Sequence, residues 1–249
     1  MKKHIKIILS VLIVIILIAG GYVGNMFGLF NSGNYKAYNG NTNANLSPIY
    51  GKTVIFLGSS VTYGYGSLGT SFVEYLKEAD GIIPVKEAVS GTTLADIRES
   101  SYVARMKTID KNIKADAFVC QLSTNDATKN IPLGELTDSL EPDSFDTSTV
   151  IGAIEYIITY AESTWSCPVI FYTNTRYESD AYKKMVDALL QIAEKHGITV
   201  IDLWNNEELN CISEEKRKLY MTDAIHPTKA GYHEWWLPEF QNILYNVIK

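Results

Sequence analysis

Past residue 52 the chain alternates between two hydrophobic rhythms. Short continuous apolar runs bounded by turn residues read as buried strands, and apolar residues three and four apart read as helix faces. The runs cover residues 53–57, 85–89, 117–122, 169–172 and 198–201. Helical stripes fill the intervals over 71–79, 94–106, 146–163, 179–196 and 228–248. In the first stripe Phe72, Val73, Tyr75 and Leu76 share a face; in the third, Val150, Ile151, Ile154, Ile157 and Ile158 do so. Gly197 follows the fourth stripe as a carboxyl-terminal stop. Strands separated by helices imply parallel pairing through right-handed crossovers. The pattern predicts an α/β fold, a three-layer α/β/α sandwich with about five parallel strands. Residues 123–145 break the rhythm with Pro132, Gly134, Pro142 and five acidic side chains. Long loops in compact domains are often functional, and this one starts where a strand leaves the sheet, so it is expected beside the site.

The start of the chain follows neither rhythm. Lys2, Lys3 and Lys6 precede residues 7–24, which carry almost no polar side chain. Crossing a bilayer takes roughly 20 apolar residues. Residues 1–30 therefore read as a membrane anchor or signal peptide, with membrane contact through residues 7–30. Phe27, Leu29 and Phe30 prolong the apolar character and favour an uncleaved anchor. Small residues at Ala19 and Gly21 leave open a cleavage after Gly21 and secretion. Lysines on the amino side place that side in the cytoplasm and the domain outside, as a single-pass protein of the cell membrane. Residues 31–52, rich in Asn, Gly, Ser and Tyr, have the composition of a linker, Asn39-Gly40-Asn41-Thr42-Asn43 included. Residues 53–249 then form one domain with a full core.

Composition narrows the function class. The formal net charge is −6, and no basic stripe is present, which argues against nucleic acid as a partner. Cys120, Cys167 and Cys211 are an odd set without a disulfide framework, and Cys120 reads as a small core residue. No His, Cys and Asp group has metal-ligand spacing, so neither metal nor cofactor is expected. Gly64-Tyr65-Gly66 lacks the lysine of a phosphate-binding loop.

The candidate chemistry lies where strands end. The first run passes into Gly58-Ser59-Ser60-Val61-Thr62, and in open α/β sheets ligands bind at the carboxyl edge. Far away stands Asp223-Ala224-Ile225-His226-Pro227. A serine nucleophile needs a base, and the base an orienting carboxylate; Ser60, His226 and Asp223 are the candidates. Ser59 and Ser60 as plain helix caps are the bland alternative. Ser90-Gly91-Thr92-Thr93 and Ser123-Thr124-Asn125-Asp126 follow the second and third runs and face the same edge. The Ser60 and Gly91 amides and the Asn125 side-chain amide are candidate donors for an oxyanion hole. Arg176 and Tyr177, past the fourth run, and Ser59 are candidate substrate contacts. Tyr63, Tyr65, Trp235 and Trp236 are rim candidates with core packing as the alternative. His196 reads as a surface residue.

These four segments resemble the sequence blocks of the SGNH (GDSL-type) serine hydrolases and esterases, over the whole stretch from Thr53 onward. The resemblance implies a flavodoxin-like fold and ester hydrolysis through an acyl-enzyme. It also implies Ser60 as nucleophile, His226 as base, Asp223 as orienting acid, and Gly91 and Asn125 as oxyanion donors. Ser59 stands where the family usually has Asp, and Ser123 where it usually has Gly; the first change is expected to remove a hydrogen bond near the nucleophile, the second to narrow the cleft. The expected substrate is a small or carbohydrate ester, deacylated (for example deacetylated) at the cell surface. Two alternatives are an O-acyltransferase using the same residues and a catalytically inactive binding module.

Overall fold

The computed structural model describes residues 2–38 and 43–249; residues 39–42 of the linker expectation lie outside them. Five strands, β1 (Thr53–Gly58), β2 (Ile83–Ala88), β3 (Ala117–Gln121), β4 (Val169–Tyr172) and β5 (Thr199–Ile201), form one sheet in the order β2-β1-β3-β4-β5. Every pairing is parallel. This is the flavodoxin-like order, in which the chain first runs to one side of β1 and then to the other.

The helices are α1 (Lys2–Met26), α2 (Ser60–Tyr63), α3 (Phe72–Asp80), α4 (Tyr102–Met106), α5 (Thr124–Thr128), α6 (Val150–Trp165), α7 (Asp180–His196), α8 (Glu207–Asn210), α9 (Glu214–Tyr220) and α10 (Leu237–Val247). Side chains alternate between the two faces of a strand, and the two cores follow that alternation. Ile55, Leu57, Phe118, Cys120 and Phe171 pack with α4, α6 and α7. Val54, Phe56, Val119, Ile170 and Tyr172 pack on the other face with α3 and α10. The molecule is thus a three-layer α/β/α sandwich.

Several boundaries differ from the periodic reading, each for a local reason. Ser71 is a cap rather than a helical residue: its hydroxyl accepts from the Val73 amide while Glu74 reaches back to the Ser71 amide. The stripe over 94–106 is helical only from Tyr102, because the buried Asp126 carboxylate holds the Leu94 and Ala95 amides at 2.8 and 3.0 Å. The last helix begins as a π-helical turn, Gly231–Trp236, before α10. Pro238 lacks an amide and breaks the regular bonding register there. His196 is no surface residue. Its side chain is 3% exposed and its Nε2 lies 3.2 Å from the buried Glu155 carboxylate.

The loop expected beside the site divides. Its start, α5, leaves β3 at the carboxyl edge. Farther on, the Thr137 and Ser139 carbonyls accept from Lys195 at 2.6 Å each. Lys195 lies in the last turn of α7, which leads into β5 at the amino edge. Ile7–Asn25, inside α1, is long and apolar enough to cross a membrane, a property shared by anchors and signal sequences. Among the described residues all three cysteines are free thiols, Cys120 and Cys167 buried and Cys211 exposed.

Ile154 is fully buried in α6. Ile154→Ala removes methylenes from a close-packed layer and is expected to cost about 2–5 kcal/mol, read as a lower urea midpoint with unchanged slope.

Candidate active site

The site starts at the carboxyl end of β1. Ser59 caps α2 without using its side chain, and Ser60 is the first helical residue. The cap comes from β3: Gln121 Oε1 accepts the Ser59 amide at 2.9 Å, the Thr62 hydroxyl at 2.9 Å, the Ser59 hydroxyl at 3.3 Å and the Thr62 amide at 3.4 Å. Four donors on one oxygen decide which end of the amide faces the turn. The turn is tight enough to require Gly58: a β-carbon there would lie 1.7 Å from Thr62 Oγ1 and 2.9 Å from Gln121 Oε1.

Ser60 is 7% exposed. Its Oγ lies 2.8 Å from His226 Nε2, and His226 Nδ1 lies 2.7 Å from Asp223 Oδ2. The other Asp223 oxygen accepts the Ile225 and His226 amides, both at 2.8 Å. Partial burial works against the Asp223 charge, but the His226 ring and these two amides outweigh it and hold the carboxyl below its usual range. The loop is closed at its base by the Thr222 amide on the His226 carbonyl at 2.8 Å and by an antiparallel bridge between Met221 and Pro227. Asn174 Nδ2, two residues past the carboxyl end of β4, braces it through the Ile225 carbonyl at 3.2 Å. The Tyr65 ring stands 5.2 Å from the His226 ring.

The turn after β2 comes next. Gly91 is exposed and adopts φ +80, with open space where a β-carbon would sit. Asn125, in α5, donates one amide proton to the Thr92 carbonyl at 3.0 Å and the other to Ser59 Oγ at 3.2 Å. The hydrogen bond expected to be lost with a serine at 59 is thus made by that serine's hydroxyl. Ser123 is fully buried, its hydroxyl accepting the Asn125 amide at 3.2 Å and donating to the Thr92 carbonyl at 3.3 Å.

Three positioning residues escaped the sequence reading. Gln121 looked like one more member of a core strand. Arg105 is 8% exposed; its guanidinium donates to the Gly58 carbonyl at 2.8 Å, to Thr92 Oγ1 at 3.0 Å and to Glu87 Oε1 at 2.9 Å, joining the ends of β1 and β2 to the Gly91 turn. Asp126 ties α5 to residues 94 and 95. Burial raises its carboxyl above the usual value, against the hydrogen bonds from the two amides. Only Asp126 had a visible signal, its place beside Asn125.

The outer candidates separate. Arg176 is exposed, and Tyr177 packs against Tyr182 and Trp204 with ring distances of 5.2 and 5.4 Å. Both line a surface cavity of about 440 Å³ with Asp180, Lys183 and Trp204. Trp236 is fully buried core, and Trp235 donates its indole N–H to the Leu209 carbonyl at 2.7 Å, so neither is rim. Tyr63 is exposed. Among the described residues no group of three His, Cys, Asp or Glu is placed to hold a metal ion.

Residues 56–234 match the model of the GDSL-like Lipase/Acylhydrolase family. Among curated proteins none matches. Solved structures share the fold. A protein from Lactobacillus plantarum superposes with TM-score 0.66 at 20% identity, over 79% of this chain and 98% of its own. An acetyl xylan esterase, AlAXEase, gives 0.55 at 15% identity, over 77% and 99%. A member of the lipolytic protein G-D-S-L family from Veillonella parvula gives 0.53 at 16% identity, over 77% and 96%. With the match spanning most of its length, the chain belongs to the GDSL-like lipase/acylhydrolase family and is an esterase.

Proposed function

We propose that Ser60 is the nucleophile of an ester hydrolase that works through an acyl-enzyme, with His226 as base and Asp223 as orienting acid. The observation that carries this reading is the unbroken chain of short hydrogen bonds from Ser60 Oγ through the imidazole to Asp223, 2.8 and 2.7 Å. Asp223 on Nδ1 selects the tautomer whose Nε2 is free to take the serine proton. Serine attack on the ester carbonyl passes that proton to Nε2. The same proton then goes to the departing alcohol, leaving Ser60 acylated. Water, deprotonated by His226, attacks the acyl group, and collapse returns the proton to Ser60 and releases the acid.

The developing oxyanion takes its donors from the Ser60 and Gly91 amides and from Asn125. One Asn125 proton stays on the Thr92 carbonyl as a hinge. The other rests on Ser59 Oγ at 3.2 Å, the longer of the two bonds, and that N–H can redirect its hydrogen bond to the oxyanion while keeping its proton. The Ser59–Asn125 contact favours an active enzyme over an inactive binding module. Arg176 and Tyr177 are the proposed substrate contacts.

The substrate class proposed is a small or carbohydrate ester, met outside the cell by a domain held at the membrane through α1. The fold's acetyl xylan esterase makes an acetylated sugar the first natural candidate. The full chain in detergent is expected to hydrolyse a nitrophenyl acetate and to be labelled by a fluorophosphonate at Ser60. Ser60→Ala should lose the label and about 10⁴-fold or more in kcat. Equal activity in both forms sinks the reading.

Gln121→Leu keeps the volume but leaves the Ser59 and Thr62 donors without their acceptor. It should lower the urea midpoint by an equivalent of about 1–3 kcal/mol and reduce kcat, since the turn that aims Ser60 loosens.

Acid sensitivity follows from Asp223. Its native value is depressed, so the stabilisation it brings is complete above the ordinary Asp value of about 3.9 and fades as pH falls through the lower native value. Asp223→Asn should remove this contribution from the pH profile of the urea midpoint, and should cut kcat by about 10⁴-fold at neutral pH.

A further inference from the structure

Residues 27–38, which composition assigns to the end of an anchor and the start of a linker, lie against the domain beside the site, with Gly28, Gly33 and Asn34 buried and Leu29, Phe30 and Tyr35 exposed. The chain reverses just past α1, where the Leu29 amide bonds the Gly24 carbonyl at 2.9 Å and Gly28 takes φ +76. Asn34 is 6% exposed. Its Nδ2 donates to the Gly28 carbonyl at 2.7 Å and to the Gly66 carbonyl at 2.9 Å, and its Oδ1 accepts the Lys229 amide at 2.7 Å. Gly66 follows Ser60 by six residues, and Lys229 follows His226 by three. The Gly66 carbonyl also accepts from Thr222 Oγ1, in the His226 loop, at 2.7 Å. Asn31 Nδ2 adds a bond to the Met221 carbonyl at 3.1 Å.

Packing says the same. A β-carbon on Gly33 would lie 1.9 Å from the Leu219 carbonyl oxygen, so the segment lies flush against the chain entering the His226 loop. The Phe27 ring is 4.8 Å from that of Tyr65, which is 5.2 Å from that of His226; the His226 ring therefore lies within about 10 Å of the first residue past α1. At the far end Tyr38 donates to Glu234 at 2.7 Å and stacks on His233 at 4.0 Å. A solvated tether does not bury a side chain with all its polar atoms engaged, whereas a structural joint does.

We propose that residues 27–38 are a strap that joins the end of the apolar helix to the His226 loop, with Asn34 as the positioning residue that sets this loop against the Ser60 turn. The proposal rests on the reading of His226 as the base. Through the strap, the alignment of the base depends on the segment that leaves α1.

The test uses the full chain in detergent with a protease site introduced within residues 39–42 and cut after folding. A tag at the amino terminus should still pull down the domain, with ester hydrolysis intact. In Asn34→Ala the cut pieces should separate, and the uncut protein should lose about tenfold in kcat with KM changed less than about twofold. Tyr38→Phe, which loosens only the far end, should keep the wild-type kcat. Pieces that part at once in the otherwise unaltered chain overturn the strap, as does full kcat in Asn34→Ala. If Asn34→Ala does not fold, the pull-down from the cut unaltered chain decides. If no form hydrolyses ester, the Ser60 reading fails while the pull-down still reports on the strap.

Discussion

One hydrogen bond, 2.8 Å long, joins atoms 166 residues apart: Ser60 Oγ and His226 Nε2. A contact of that length tolerates little play, so both sides must be held by the fold. On the serine side the holder is β3, through Gln121. On the histidine side the loop is closed on itself by the Thr222 amide and braced by Asn174, two residues past β4. The sheet order places β1 and β3 side by side with β4 next, so the serine turn, its cap and the brace stand at the carboxyl ends of three adjacent strands. A parallel sheet puts all three carboxyl ends on one edge, and the site is a product of that geometry.

Much of this was legible in the chain. Continuous apolar runs marked the strands because both sheet faces are covered, and the 3.6-residue stripes marked α3, α6 and α7 because each buries one side. The candidate site residues were legible too, since Ser60 and Asn125 sit in short segments that follow β1 and β3, and Asp223 and His226 share one short turn segment. The supports were not. Gln121 interrupts no periodicity, and its partners at 59 and 62 lie in the turn and short helix that follow β1, some 60 residues away. Arg105 looks like an ordinary helical cation, yet it is buried because three elements turn acceptors toward it. The helical stripe over 94–106 misled for the same reason: a carboxylate 31 and 32 residues away claims two of its amides. Local pattern reports on the backbone a segment prefers, while these features depend on what another segment offers.

The Asn-rich stretch makes the same point about composition. Asparagine, glycine and serine are frequent in tethers because they do not compel burial. Asparagine also carries two donors and an acceptor on a short stem, and can cross-link backbone segments where water is excluded. Asn34 does this with three partners. Nothing in residues 31–38 separates these uses, because the deciding partners stand at 28, 66 and 229. Leaving such a side chain buried and unpaired would cost about 1–3 kcal/mol, so the segment docks with all three bonds or stays in water.

The serine at 59 changes the balance at the oxyanion side. An aspartate there would hold the Asn125 amide through a charge-assisted bond, roughly twice as strong as a neutral one. The hydroxyl at 3.2 Å is a weaker competitor for the same proton. If Ser60 is the nucleophile as proposed, an oxyanion forming beside it would have less to displace, and no carboxylate at 59 would oppose its charge. What a carboxylate would have contributed in rigidity is provided elsewhere: Gln121 fixes the turn, and the buried Arg105 draws the Gly58 carbonyl and Thr92 Oγ1 together. In this chain the geometry of the Ser60 turn is set by neutral and cationic donors and acceptors behind it, which leaves the turn free of negative charge from residue 59.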